Sequence, residues 1–252
     1  MIAIFINTFN DSALLARALR DLFSNLSGDY RLFLDDDGST EEEFHNISQL
    51  AAKYHASLTR APQKKGRANP YLIVREIEIF QEIIASSPVD VILKMDPDTT
   101  IYSPIAFTLS NDTELCGFRK NIDKNNYAHM CLEQVLCKIY SNIRESNSYV
   151  QGGFYFIRPV LVKKIVNATA WQQYLQLYTE IDLEVCEDRM LTCLTQAVGG
   201  KVEFVNQGFF HGAKDRLEYY GRLWTSRHPA LGPFYQGIIR ARAGWRRLRG
   251  RK

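Results

Sequence analysis

Two short stretches decide the fold: IAIFINTFN at residues 2–10 and YRLFLDDDGST at residues 30–40. Each begins with apolar residues typical of a buried strand and ends in a polar loop. Apolar residues recur at helical spacing after the first stretch. In the second, Thr40 and Glu43 have capping-box spacing, which predicts a helix to about residue 54. A repeated unit of strand, loop and helix predicts a parallel sheet covered by helices.

The same unit continues to about residue 98 and then changes. Residues 56–59 predict a third strand, residues 70–84 a helix with Pro70 in its first turn, and residues 89–95 a fourth strand. Later segments mix strands and helices: strands near 114–118, 149–157 and 201–205, and helices near 127–143 and 188–198. We therefore predict an α/β fold with a mostly parallel central sheet, followed by an α+β half.

Composition allows one large domain with a full core. The chain has 252 residues, 46% of them hydrophobic and 23% charged, and contains no apolar run of the roughly 18 residues that span a bilayer. Its N-terminus lacks the basic region of a signal peptide. The five cysteines show no C-x-x-C spacing, which argues against a zinc site or a disulfide framework. We expect a cytoplasmic protein.

Charge is distributed unevenly along the chain. Seven of the 31 basic residues lie in residues 240–252, where there is no acid, and the other 24 stand against 28 acidic residues. A mildly acidic body does not fit a nucleic-acid-binding protein, which carries Lys and Arg over one face. Residues 238–252 interleave arginines with apolar side chains. This pattern suits an interfacial helix on anionic lipid at the inner face of a membrane, and a solvated tail is the alternative.

Polar residues directly after strands are the first candidates for a site, because ligands of open parallel sheets bind beyond the carboxyl ends of the strands. Residues 7–10, 35–40 and 96–98 hold such positions and are expected to converge. Asp96 and Asp98, with proline between them, suit a hard divalent cation such as Mg²⁺ or Mn²⁺. Such an ion stabilises the charge on a departing nucleotide diphosphate. An ordinary turn is the alternative.

Two further segments of the first half suit a nucleotide. Asp37 can accept a hydrogen bond from a uracil-like base edge while Phe9 packs against the ring, although the same segment suits a turn and helix cap. Lys65 and Arg67, ahead of Asn69, form a basic loop that would meet a diphosphate if it faces the crevice. A solvated surface loop is the alternative.

The second half offers a base and a further metal ligand. Glu187 and Asp188 stand at a predicted helix N-terminus, where they complement the helix dipole or where Asp188 accepts a proton from an attacking hydroxyl. His211 follows an apolar strand and suits Mn²⁺, although a lone histidine there is more often structural. Gly152 and Gly153 indicate a bulge or the close approach of a backbone or a sugar ring.

In their order along the chain, these segments resemble the motif series of GT-A glycosyltransferases, particularly family 2. The segments are IFINTFN at 4–10, DDGST at 36–40, DPD at 96–98, GGF at 152–154, ED at 187–188 and His211. The resemblance covers about residues 1–215. It implies a GT-A domain at residues 1–222, with a Rossmann-like nucleotide-sugar-binding half at 1–100 and an acceptor and catalytic half at 101–222. Residues 223–252 form a basic aromatic tail.

The resemblance also implies an activity: metal-dependent transfer of a sugar, with inversion, from a nucleotide diphosphate donor to a saccharide or lipid-linked acceptor. A UDP-sugar is the favoured donor, and Mn²⁺ or Mg²⁺ the cofactor. The implied roles are nucleoside binding for Thr8, Phe9, Asn10 and Asp37, ribose and metal binding for Asp96, metal ligation for Asp98 and His211, and base catalysis for Asp188 beside Glu187. The Q-x-x-R-W motif of processive members is absent, which favours transfer of one sugar per encounter.

Two other functions fit parts of the pattern. A sugar nucleotidyltransferase also uses a nucleotide-binding α/β sheet, but the sequence has no glycine-rich phosphate loop near its N-terminus. The second alternative is a catalytically inactive GT-A module that binds a glycan or a partner. Binding alone would not need metal ligands together with a base, and the sequence has candidates for both. The transferase therefore remains the leading interpretation, with a role in polysaccharide biosynthesis.

Overall fold

The computed structural model of the chain describes residues 1–61, 70–104, 110, 112–121, 148–180, 186–205 and 209–210. In the first half, strands and helices alternate as predicted. They are β1 (Ile2–Thr8), α1 (Ser12–Asn25), β2 (Tyr30–Asp36), α2 (Glu41–Lys53), β3 (Ser57–Arg60), α3 (Tyr71–Ser86) and β4 (Val91–Met95).

The second half contains two helices that the sequence pattern did not predict. Its described elements are β5 (Thr100–Ile101), β6 (Leu115–Asn121), β7 (Ser148–Ile157), α4 (Pro159–Val166), α5 (Thr169–Leu177), a 3-10 turn (Tyr178–Glu180), α6 (Glu187–Ala197), β8 (Val202–Phe204) and β9 (Phe209–Phe210). Pro159 at the first position of α4 is a helix-start signal. The β-branched residues that follow it favour a strand, which masks that signal. The helix predicted near 127–143 lies outside the described residues.

The main sheet is mixed. Its strand order within the described part of the chain is β3-β2-β1-β4-β7-β6-β8. Strands β3, β2, β1 and β4 run parallel, β7 is antiparallel to both β4 and β6, and β8 is parallel to β6. Strands β5 and β9 form a separate antiparallel pair. The predicted fold class is confirmed: a mostly parallel Rossmann-like half continues into an α+β half.

Strand β1 is apolar from Ile2 to Ile6 because helices cover both faces of the sheet. Ala3 and Phe5 pack with α3, where the rings of Phe5 and Phe80 meet edge to face at 5.7 Å. Ile4 and Ile6 pack on the opposite face with apolar residues of α1 and α2. Alternate residues of a strand point to opposite faces, so a strand buried on both sides needs an unbroken apolar run. No helix in the described ranges is long and apolar enough to cross a membrane.

Candidate functional site

The loops after β1 and β2 are hydrogen-bonded to each other. Thr8 pairs with Asp36 in the sheet, and the amide of Asp37 donates to the carbonyl of Thr8 at 2.9 Å. The amide of Asn10 donates to Ser39 Oγ at 2.8 Å. Asn10 takes a left-handed backbone conformation with φ of 51°, which asparagine tolerates better than most residues. The structure thus brings Thr8, Asn10 and Asp37 together, with Phe9 half-buried between the first two.

The middle carboxylate of the Asp35–Asp37 run holds the second loop in shape. Asp36 is completely buried and accepts hydrogen bonds from the amide and the hydroxyl of Ser39. Arg60, at the end of β3, pairs with Asp36 at 3.2 Å and donates to the carbonyl of Ser39 at 2.7 Å. The hydrogen bonds of Asp36 are therefore made within the loop, and Asp37 remains the carboxylate that is predicted to bind the nucleobase.

The first carboxylate of the run ties the sheet to α3. Asp35 is 1% exposed and accepts hydrogen bonds from Thr59 Oγ1 at 2.6 Å, from Arg75 at 2.9 Å and from Asn7 Nδ2 at 3.3 Å. Through its side-chain amide, Asn7 therefore connects the end of β1 to the same carboxylate. Asp35 belongs to the predicted polar segment 35–40 but was given no role of its own, and Arg75 was not among the predicted site residues.

The acidic turn after β4, residues 96–98, is connected to β7 by hydrogen bonds. The amide of Asp96 donates to the carbonyl of Gly153 at 3.0 Å, and Thr99 Oγ1 donates to the same carbonyl at 2.6 Å. Lys94 Nζ contacts Asp96 Oδ1 at 2.6 Å. The side chain of Asp96 is about one-third exposed, whereas Asp98 is buried.

Gly152 connects this turn to the start of α6. Its amide donates to Asp188 Oδ2 at 2.8 Å, and its carbonyl accepts from Lys94 Nζ at 2.5 Å. A Cβ at Gly152 would lie 3.1 Å from the Cβ of Asp188, so the group that approaches this glycine is the Asp188 side chain. The other oxygen of Asp188 accepts from Cys186 Sγ at 2.6 Å and from the amide of Arg189 at 3.0 Å.

The acidic pair at the start of α6 is electrostatically strained. Burial, and then the charge of Asp188, raise the pKa of Glu187 to about 7, although Lys94 opposes the change. Two adjacent carboxylates favour keeping one of them protonated. Near neutral pH, Glu187 is therefore divided between its charged and neutral forms.

A buried lysine balances several of these carboxylates. Burial lowers the pKa of Lys94, but Asp96 and Glu76 raise it by more, so the pKa lies above its usual value and the side chain is an ammonium ion. Burial raises the pKa of Glu76, whose carboxylate accepts a hydrogen bond from the hydroxyl of Tyr155. The sequence pattern did not single out Lys94 or Glu76 as site residues. The available signal was a charged residue within an otherwise apolar strand and another on the apolar face of a helix.

Four of the predicted site residues lie outside the described residues: Lys65, Arg67, Asn69 and His211. Among the residues that are described, no group of three or more His, Cys, Asp or Glu side chains is arranged to hold a metal ion. Asp96 and Asp98 are the two predicted ligands within that part of the chain, and their donor atoms are the carboxylate oxygens that Mg²⁺ and Mn²⁺ prefer.

No protein-family model matches the sequence, and no curated protein matches it. Solved structures do share its fold. TarS of S. aureus matches with a TM-score of 0.54 and 12% identity over 87% of this chain and 38% of the TarS chain. Core-mannan synthase A (CmsA/Ktr4) from Aspergillus fumigatus, in its Mn/GDP form, matches with a TM-score of 0.56 and 11% identity over 83% of this chain and 74% of that one. Both are GT-A-type glycosyltransferases, so the fold of this chain is of the GT-A type.

Proposed function

We propose that this chain is a glycosyltransferase that moves one sugar from a nucleotide diphosphate donor, preferably a UDP-sugar, to a saccharide or lipid-linked acceptor. The observation that carries the proposal is a continuous set of hydrogen bonds from Asp96 through Gly152 and Gly153 to Asp188. It lies at the edge of the sheet where β1 and β2 also end, beside Thr8 and Asp37. The GT-A fold of the chain supports this reading.

The acidic turn suits a divalent cation that is shared with the donor. Mg²⁺ and Mn²⁺ in such enzymes are held through one or two protein carboxylates together with substrate phosphates. Asp98 and Asp96 supply these oxygens. Phe210 pairs with Thr100, two residues after Asp98, and precedes His211 in the sequence, which supports His211 as a third ligand. The bound ion would offset the negative charge that accumulates on the diphosphate leaving group.

Asp188 is the proposed general base. An ionised carboxylate offers about four acceptor sites, and three hydrogen bonds from the described residues reach Asp188, so it can still receive the proton of an acceptor hydroxyl. The deprotonated hydroxyl then attacks the anomeric carbon from the side opposite the leaving group, which inverts the configuration. The hydrogen bond from Gly152 keeps the carboxylate oriented before the acceptor arrives.

The remaining predicted residues bind the donor. The loops after β1 and β2 are joined by hydrogen bonds and together bind the nucleoside through Thr8, Phe9, Asn10 and Asp37. Lys65, Arg67 and Asn69 precede α3 in the sequence and supply donors for the diphosphate. Gly152 leaves room for the Asp188 side chain, and the Gly152–Gly153 segment thereby places the base beside the proposed sugar position.

The proposed function is tested by incubating the full chain with Mn²⁺ and a set of nucleotide sugars and measuring released nucleoside diphosphate. We expect slow hydrolysis of one donor, faster release once a suitable acceptor is present, and loss of both on addition of EDTA. Replacing the buried metal ligand in Asp98→Ala should lower the rate by at least about 100-fold, whereas Lys164→Met, which breaks an ion pair with Glu114, should not change it.

Two outcomes would contradict the proposal. Binding of a donor without turnover, with every acceptor offered, would indicate an inactive GT-A module. Release of pyrophosphate from a nucleoside triphosphate and a sugar phosphate would indicate a nucleotidyltransferase.

A further inference from the structure

Lys94 occupies an unusual position for a lysine. It lies in β4, whose five residues are all buried, two residues before Asp96 at the start of the acidic turn. A buried ammonium ion is stable only when charged and polar partners replace its lost water. Asp96 Oδ1 and the carbonyl oxygen of Gly152 provide these contacts at 2.6 and 2.5 Å, and the ring of Tyr155 lies 5.9 Å away.

These contacts add a side-chain connection between the acidic turn and β7, beyond the backbone pairing of β4 with β7. The register of β4 with β7 ends at Met95 and Phe154, before the acidic turn. Beyond that point, one backbone hydrogen bond from Asp96 and one side-chain hydrogen bond from Thr99 reach Gly153. The ammonium of Lys94 adds the contact to Gly152, the residue whose amide holds Asp188.

We propose that Lys94 is a positioning residue that sets the distance between the cation-binding turn and the catalytic base. Its ammonium fixes the Asp96 carboxylate on one side and the Gly152 peptide on the other, and the Gly152 amide in turn orients Asp188. Because Lys94 is buried against Asp96 and Gly152, its role is to position these groups rather than to bind the donor or the acceptor. Its catalytic role rests on the function proposed above, whereas its structural role can be measured without turnover.

The first test measures backbone hydrogen exchange in Lys94→Met, which keeps the length of the side chain and removes its charge. We expect the amides of residues 148–157 that face α6, Gly152 above all, to exchange at least about tenfold faster than in the wild type, because the contact that holds this peptide is lost. Lys164→Met is the matched control, since it removes a different lysine ion pair, and should leave this segment unchanged. Unchanged exchange in Lys94→Met would overturn the proposal whether or not the chain is active.

The second test is a double-mutant cycle on donor turnover with Lys94→Met, Asp96→Asn and the double variant. Loss of a side chain that orients a metal or base ligand lowers activity by about 10–100-fold. If Lys94 acts through Asp96, the same substitution in the Asp96→Asn background should cost at least about fivefold less. A purely structural lysine would instead lower activity by the same factor in both backgrounds, and that result would overturn the proposal.

Two controls keep the outcomes separate. If thermal unfolding shows that Lys94→Met is not folded, both tests are repeated with Lys94→Gln, whose amide can still donate one hydrogen bond. A wild-type chain that turns over no donor refutes the proposed glycosyltransferase, and hydrogen exchange then decides the positioning contacts alone. An active wild type with an equally active Lys94→Met refutes the role of Lys94 and leaves the glycosyltransferase in place.

Discussion

At the scale of single residues, the site depends on charged side chains that have little access to water. Lys94, Glu76 and Asp35 are buried, and Glu187 is half-buried. Each buried charge needs a partner of opposite sign or several hydrogen bonds, because an isolated charge in the interior is strongly unfavourable. The carboxylates and cations of this edge therefore stabilise one another: Asp35 pairs with Arg75, and Lys94 pairs with Asp96.

Glu187 gives this coupling a measurable pH dependence. Its folded-state pKa of about 7 lies above the usual value of 4.5, so the folded chain binds this proton more tightly than the unfolded chain. The stability that this tightly bound proton gives to the folded state is fully present below about pH 4.5 and is lost as the pH rises through about 7. Relative to the wild type, Glu187→Gln should therefore gain on the order of 1–3 kcal/mol in unfolding free energy between pH 5 and pH 8. Urea unfolding in EDTA at the two pH values measures this, and an equal difference at both would refute the assignment.

At the scale of elements, the first two helices begin in an interlocked pair of loops. Thr40 Oγ1 caps α2 through the amide of Glu43 at 3.4 Å, as the sequence predicted. The Glu43 carboxylate, however, accepts from the amide of Ser12 at the start of α1. The amide of Thr40 donates instead to Asn10 Oδ1 at 2.9 Å. The reciprocal half of the capping box is thus replaced by contacts between the two loops, which align the segments proposed to bind the nucleoside.

Asn10 is the residue on which this alignment can be tested. Asn10→Ala removes the acceptor for the Thr40 amide. It also places alanine, which disfavours positive φ, at a position whose φ is 51°. We expect a loss of about 1–2 kcal/mol in unfolding free energy, together with weaker binding of nucleoside diphosphate.

Asn10→Gly provides the matched comparison. Glycine accepts the backbone conformation but still lacks the side-chain acceptor, so the loss of stability should be smaller than in the alanine variant while binding remains weakened. Chemical unfolding and calorimetric binding of UDP with Mn²⁺ measure both effects. Equal stability of the alanine variant and the wild type would show that this loop contact is unimportant.

At the scale of the whole molecule, strand order and direction assemble the site. Strands β2, β1 and β4 are parallel neighbours, so their carboxyl ends and the three polar loops meet at one edge. Strand β7 runs the opposite way beside β4, and Ser148–Gly153 therefore extend beyond Phe154, the partner of Met95, at that same edge. The helix that carries Glu187 and Asp188 packs on β7. A donor bound here would contact both halves of the fold.

Because both halves would contribute to one donor site, ligand binding should stabilise the whole chain. With UDP and Mn²⁺ at about 100 times the dissociation constant, the folded state should gain about 2.7 kcal/mol. The midpoint of thermal unfolding should then rise by several degrees in a single transition. Mn²⁺ alone and UDP with EDTA are the controls, and Asp98→Ala should lose the part of the shift that depends on the metal. Two separate transitions, only one of them shifted, would contradict a shared site.

The sequence by itself determined the alternation of the first half and the positions of the polar loops. Hydrophobic period, a proline near a helix start and the Thr40 cap are local signals that depend on a few neighbouring residues. They located Asn10, Asp37, Asp96 and Asp188 at the ends of their elements.

Only the tertiary structure decided how these residues connect. Lys94 and Gly152 are 58 residues apart, and Gly152 and Asp188 are 36 apart. Their contacts depend on β7 running antiparallel to β4, in a register that no local pattern encodes. Strand direction and register are set by the burial of both sheet faces and by the direction of each connection. The same packing placed Lys94 and Glu76 in the interior, where their charges interact strongly with the carboxylates of the site.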